Sequence, residues 1–345
     1  MQRVGWIDSA KGFAILLVVL GHTWDGLGTR GLIELNWHQP VYDHLYTYHM
    51  PFFFMLSSFF ISSSFLKTDL KPFVWKQFWQ MIYPMVIWYY IFLSAKIIAG
   101  GFANEAGSAA MFSQSPIPGK WHYWFLWALF LMRTAVFLMR AVLRNSRYFD
   151  VIIISLIIGM SVLDKLPQPE CVSFWFSPAI SFGPYFLFGI LLGKYNDYLM
   201  PHAVYIMLAL IVFLSLALLV SYLNTLGITK FPIAIAMCIC SIFIFKCLDQ
   251  QSGFLRKLMN IFATLGLLSM PIYLAHPIFS SFAREVLVLL GITSIGIQFV
   301  LGTIMGVVCS LLMYHLSVKL KFNVLFGFDV PKNKIGVYFR SRIPL

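Results

Sequence analysis

Three ionisable side chains share one short apolar stretch near the N-terminus: Asp8, Lys11 and His22. In a helix, Lys11 and His22 stand about three turns apart at ~3.6 residues per turn, so they share a face and are separated along the axis by roughly 16 Å. Asp8 and Lys11 are one turn apart on that side and can pair. An imidazole titrates near neutrality, so it can take a proton from a hydroxyl or carry an acyl group itself. An ammonium binds anionic groups. Burying such groups in a bilayer costs several kcal/mol, which makes them functional candidates by default.

Further along the chain, similar groups recur. His49 opens a second apolar run, Tyr48-His49-Met50-Pro51-Phe52-Phe53-Phe54, at a depth from which it can approach His22. Ser57, Ser58, Ser62, Ser63 and Ser64 follow and suit helix packing, not nucleophilic attack, because no base accompanies them in sequence. Arg133 falls inside an apolar run at a cost on the order of 3 kcal/mol, for binding an anion or for a structural pair with an acid. Tyr273 and His276 sit between Pro271 and Pro277. Two prolines there predict a broken helix, with carbonyls freed beside a cavity.

The elements that must hold these groups are membrane helices. The chain has 345 residues, of which 60% are hydrophobic and 11% charged, and its mean hydropathy is +0.81. Such a composition specifies an all-α, polytopic membrane bundle. About ten spans are expected, near 11–27, 48–66, 78–98, 122–143, 149–163, 176–193, 203–223, 231–247, 261–281 and 295–317. With the N-terminus inside, the inner loops collect Arg3, Lys11, Lys67, Lys71, Lys76, Arg140, Arg144, Arg147, Lys194, Lys246, Arg256 and Lys257. The outer side keeps only Arg30, Lys96, Lys120, Lys165, Lys230 and Arg284. Both termini are therefore expected in the cytoplasm. Residues 1–320 read as one transmembrane domain. Residues 321–345 read as a short basic tail against anionic lipid headgroups.

The net charge of +12 is scattered over short loops, which excludes a nucleic-acid partner. Of five cysteines only Cys171 is expected in a loop, so neither a disulfide framework nor a metal site is indicated. Asp8 and Lys11 interrupt the N-terminal apolar stretch, which therefore reads as an uncleaved first span. The first outer loop, from about Trp24 to Thr47, is rich in side chains suited to sugars, among them Trp37, His38, Gln39, Tyr42, Asp43, His44 and Tyr46. The other reading of these rings is an interfacial aromatic belt.

Taken together, Asp8-x-x-Lys11-Gly12 followed by His22 resembles the first-helix motif of the membrane acyltransferase 3 family. The resemblance continues through His49-Met-Pro-Phe-Phe-Phe, Trp124-Phe-Leu, Phe186-Leu-Phe-Gly189 and Ile272-Tyr273-Leu-Ala-His276, in order over the whole chain. It is most similar to the fucose 4-O-acetylase-like branch. One departure is Ser57-Ser58, where relatives usually carry Ser-Gly.

The resemblance implies a multi-pass protein of a bacterial inner membrane. It implies transfer of an acyl group, usually acetyl, from acetyl-CoA as co-substrate to a saccharide hydroxyl, with no bound cofactor. On that reading His22, His49 and Asp8 are the catalytic candidates. Lys11, Lys67, Lys71 and Lys76 form an inner basic mouth for CoA phosphates, joined by Arg133. Trp37, Tyr42, Asp43, Tyr273 and His276 are the acceptor candidates. The rival class is a proton-coupled transporter, or a flippase or assembly partner for a lipid-linked glycan, with His22, Arg133 and His276 as relay groups. Against it stand the lack of an inverted repeat and the single broken span.

Overall fold

The computed structural model describes residues 5–61, 69–102, 107–143, 148–196, 209, 211–216, 219 and 231–328. Every regular element among them is helical. Helix α1 covers Gly5–Thr29 and α2 covers Leu35–Ser58. Helix α3, Leu70–Gln77, passes through a π-helical turn at Phe78–Ile82 into α4, Tyr83–Ala99. Then come α5, Trp124–Val142, α6, Phe149–Leu163, and α7, Glu170–Lys194. The last four are α8, Phe231–Asp249, α9, Gly253–Leu267, α10, Ser269–Leu289, and α11, Ile295–Lys319.

Among the described residues, seven helices are long and apolar enough to cross a membrane: α1, the joined α3–α4 helix, α5, α7, α8, α10 and α11. The shorter α6 has 15 residues, or about 22 Å at 1.5 Å per residue, against a hydrocarbon core of about 30 Å. The stretch expected at 203–223 lies largely outside the described residues, as do Lys67 and residues 329–345.

Helix α1 is the axis of the bundle. It packs against α2, α8, α9, α10 and α11, with Asp8 in its first turn, where a carboxylate complements the helix dipole. Its crossing with α9 is made by two glycines. A Cβ on Gly12 would overlap the Phe262 carbonyl, and one on Gly266 would overlap the Asp8 carbonyl. Close approach therefore requires glycine on both helices. A similar contact joins α7 to α2, where Gly189 lies against Ser58 and the Met55 backbone. Ser58 is fully buried and its hydroxyl donates to the Met55 carbonyl at 3.0 Å. Close approach of α2 and α7 is thus provided by the glycine on α7.

The direction of each helix follows from its contacts. His22 and His276 meet, as do Gly26 and Arg284, so α1 and α10 run the same way. Trp6 meets Phe59 while Trp24 bonds His38, so α2 runs against α1. His122 meets His276 and Phe125 meets Tyr273, so α5 runs against α10.

Four expectations need correction. The stretch from Trp24 to Thr47 is not a loop: α1 continues to Thr29 and α2 already begins at Leu35. Polar side chains and Pro40 mask a helix that is held by its aromatic face. Cys171 is likewise not in a loop but in the first turn of α7, just after Pro169. The apolar stretch read as 261–281 divides at Leu268 into α9 and α10. The break precedes Pro271, which sits in the first turn of α10, where its missing N–H has no helical acceptor to lose. Finally, the segment after α11 does not leave the bundle at once. The Trp88 indole donates to the Phe326 carbonyl and the Tyr83 hydroxyl to the Leu325 carbonyl, both at 2.8 Å.

Candidate functional site

Four helices bring histidines to one level. The His22 ring centroid lies 5.3 Å from that of His276 and 5.9 Å from that of His122, and His122 and His276 are 6.0 Å apart. The His49 ring faces the same turn of α1, where a Cβ on Gly21 would lie 3.6 Å from its Cε1. That distance is ordinary van der Waals contact, so the ring packs directly on this turn of α1.

Local structure fixes each ring. His276 Nδ1–H donates to the Ile272 carbonyl at 2.9 Å, and His49 Nδ1–H donates to the Leu45 carbonyl. Both bonds reach back one helical turn and turn Nε2 inward. The Nε2 atoms of His49, His122 and His276 are buried without a hydrogen-bond partner. A neutral imidazole bonded through Nδ1–H presents Nε2 as a free base.

His122 is held differently. It belongs to a 3₁₀ turn, Trp121–Tyr123, that leads into α5. Trp121 has φ +50°, a left-handed conformation that is costly for a bulky residue. The Tyr273 hydroxyl donates to the His122 carbonyl and braces this turn from α10.

A cavity of about 740 Å³ opens at the end of the bundle where α1, α4 and α10 finish, and reaches down to His22 and His122. Tyr46, Phe92, Trp121 and Trp124 wall it. Thr23, Asp25, Lys96, Ser280, Arg284 and Glu285 supply polar groups. At the rim Arg30 pairs with Glu285 at 3.0 Å, and Arg284 Nε donates to the same carboxylate at 3.0 Å. Gly26 makes room for Arg284, since a Cβ there would strike its guanidinium.

Along α2 a ladder of rings leads from the rim inward. His38 to Tyr42 is 5.7 Å, Tyr42 to Tyr46 4.3 Å and Tyr46 to His49 4.7 Å. Burial holds the Tyr42 phenol above its ordinary range, so it stays a neutral hydrogen-bond donor.

The predicted residues divide between the two ends of the bundle. His22, His49, Tyr273 and His276 come together. Asp8 does not join them: it is fourteen residues before His22 on one helix, which at 1.5 Å per residue is about 21 Å along the axis. Trp37 is 73% exposed and is not a cavity residue. Asp43 accepts from the Gln39 amide at 3.0 Å on the outside of α2. Tyr42 touches the site through Tyr46. At the other end, Lys11 and Lys76 are half-buried and Lys71 is exposed. The Phe73 ring stacks on Phe137 at 3.9 Å. One turn on from Phe73, α3 therefore brings Lys76 to the turn of α5 that carries Arg133.

Sequence reasoning did not single out His122, and it counted Tyr46 only among the sugar-suited side chains of an expected outer loop. The signal for His122 was the Gly119-Lys-Trp-His-Tyr run ahead of Trp124-Phe-Leu, a tight turn feeding an aromatic helix. For Tyr46 it was the recurrence of rings at 38, 42, 46 and 49, a helical period. Among the described residues, no group of His, Cys, Asp or Glu side chains is arranged to hold a metal ion.

The profile of a family described as an acyltransferase domain matches residues 4–315. Nodulation protein NolL of Sinorhizobium fredii is 30% identical over 122 residues, which is 35% of this chain and 32% of that protein. Nodulation protein NolL of Mesorhizobium japonicum is 27% identical over 124 residues, 36% of this chain and 32% of that protein. The match thus spans about a third of the length of these curated relatives. No solved structure matches the chain.

Proposed function

Because the chain belongs to the membrane acyltransferase 3 family, we propose that it moves an acyl group, acetyl in the first instance, from acyl-CoA to a hydroxyl of a cell-envelope or exported saccharide. The bacterial inner membrane is its place of action. The observation that carries this reading is the wide, ring-walled cavity ending on His22 and His122. Aromatic faces suit the C–H surfaces of a sugar, while Asp25, Glu285, Ser280 and Thr23 suit its hydroxyls.

The chemistry follows from the imidazoles. The acceptor hydroxyl approaches through the cavity and gives its proton to His22. Its oxygen bonds to the thioester carbonyl carbon, the C–S bond breaks, and the electron pair leaves on sulfur. The imidazolium then protonates that thiolate, giving free CoA, an ester and a neutral His22. The neighbouring rings of His122 and His276, with centroids 5.9 and 5.3 Å from that of His22, carry buried Nε2 atoms that suit an imidazolium while it lasts. Lys11, Lys71, Lys76 and Arg133 at the opposite end suit the phosphates of the donor, and the sequence adds Lys67, outside the described residues, to that basic set.

The test is to incubate membranes from cells with and without the gene with acetyl-labelled acetyl-CoA, then measure label in envelope glycans. Fucose-bearing glycans are the first acceptors to analyse. Label that depends on the gene and is lost in His22→Ala is the expected result. Equal label in both membranes contradicts acyl transfer and returns the histidines to the transporter reading.

A further inference from the structure

One helical turn below the histidines, the same four helices present apolar side chains to one small space. On α1, Val18 precedes His22 by four residues. On α2, Phe53 follows His49 by four, with Met50 beside it. On α5, Phe125 follows His122 by three, and on α10 Tyr273 precedes His276 by three. Steps of three or four keep each side chain on the face of its histidine. Since α1 and α10 run one way and α2 and α5 the other, all four steps lead the same way, towards the end that carries Lys11, Lys76 and Arg133.

These five residues line a void of about 10 Å³. That is room for roughly one small sphere, and apolar walls leave a water there nothing to bond. Val18, Met50, Phe125 and Tyr273 are buried. The rings close on one another, with Phe53 5.2 Å from Phe125 and Phe125 5.5 Å from Tyr273. The histidine layer is therefore bounded by a wide, ring-walled cavity on one side. On the other lies a packed apolar layer with space for a single small group.

We infer that this layer is the seat of the acyl group and that its size limits the protein to the shortest acyl chains. The inference rests on the acyl-transfer reading given above. With the thioester carbonyl at the histidines, the acyl carbon next to it reaches one turn below them, into this layer. A methyl group fills the void. A butanoyl chain meets Phe53 and Met50 and must displace them.

Discrimination of one methylene in a packed apolar pocket is worth about tenfold or more. Labelled acetyl-CoA and butanoyl-CoA, supplied separately to membranes holding the full-length protein, read it directly. Wild type is expected to transfer acetyl about 100-fold better than butanoyl, two methylenes apart. Phe53→Ala and Met50→Ala are each expected to narrow that ratio at least about tenfold, mainly through faster butanoyl transfer. Val18→Ile adds one methylene to the void and is expected to slow acetyl transfer about tenfold. Wild type passing both donors equally overturns the inference, as does an unchanged ratio in active Phe53→Ala and Met50→Ala proteins. Should those two variants fail to accumulate, Val18→Ile decides, and full acetyl transfer by it overturns the inference. Wild-type membranes that transfer neither label sink the acyl-transfer reading itself, a result distinct from a lost preference.

Discussion

At the scale of single residues, the division of labour follows depth along α1. His22 faces the cavity, while Lys11 is about 16 Å away along the axis, too far for one group to serve both substrates. His22→Ala is expected to reduce transfer by ~10²–10⁴-fold, the usual worth of a general base, at unchanged protein yield. Lys11→Ala should instead raise the apparent constant for the acyl donor, with Lys11→Arg close to wild type, in assays over a range of acetyl-CoA concentrations. If alanine leaves donor dependence unchanged and only lowers yield, Lys11 is a structural group. His22 was legible in sequence because its partner in the motif is local. His122 was not, because its relation to His22 is made by a 3₁₀ turn and a tyrosine from α10. No spacing within one segment carries that information. Asp8 is the converse case: the rise per residue that puts Lys11 at a distance from His22 puts Asp8 farther still, at the end of α1 that carries Lys11.

At the scale of elements, two features decide how the histidines are held. The first is the glycine crossing of α1 and α9. A side chain at Gly266 meets the backbone of Asp8, which cannot give way as a flexible side chain would. Gly266→Val is therefore expected to destabilise the bundle by at least the ~1–3 kcal/mol of an overpacked core, seen as a lower Tm in detergent and reduced yield. A variant as stable as wild type would mean that the two helices separate easily. The second feature is the ring ladder of α2. Read for hydropathy, residues 35–47 look like a loop; read for rings at 38, 42, 46 and 49, they show a helical period. Hydropathy misled because this helix is stabilised by aromatic stacking and not by an apolar stripe. Tyr46 ends the ladder inside the cavity and Trp37 faces away from it. Tyr46→Ala should accordingly lower acceptor use well below the level of Trp37→Ala, measured with both proteins at equal expression. The reverse order would restore the exposed rings as the acceptor surface.

At the scale of the whole molecule, the two ends of the bundle differ in kind. One end gathers Lys11, Lys71, Lys76 and Arg133, and the other opens a cavity of about 740 Å³ among aromatic rings and paired charges. Between them lie the histidines and the apolar layer. From the bias of lysine and arginine towards one set of loops we propose that the basic end faces the cytoplasm, where acyl-CoA is made. Donor and acceptor should then enter from opposite faces, with the acyl group crossing part of the bilayer inside the bundle and the packed layer keeping the two compartments apart. An exported or lipid-linked sugar is in that case modified without returning to the cytoplasm. Sealed inside-out vesicles separate this arrangement from one in which both substrates use the cytoplasmic side. Acetyl-CoA added outside such vesicles should label acceptor trapped in the lumen, and acceptor added outside with it should stay unlabelled. Label confined to acceptor on the acetyl-CoA side, with Tyr46→Ala as active as wild type, would show that the ring-walled cavity is not the acceptor's way in.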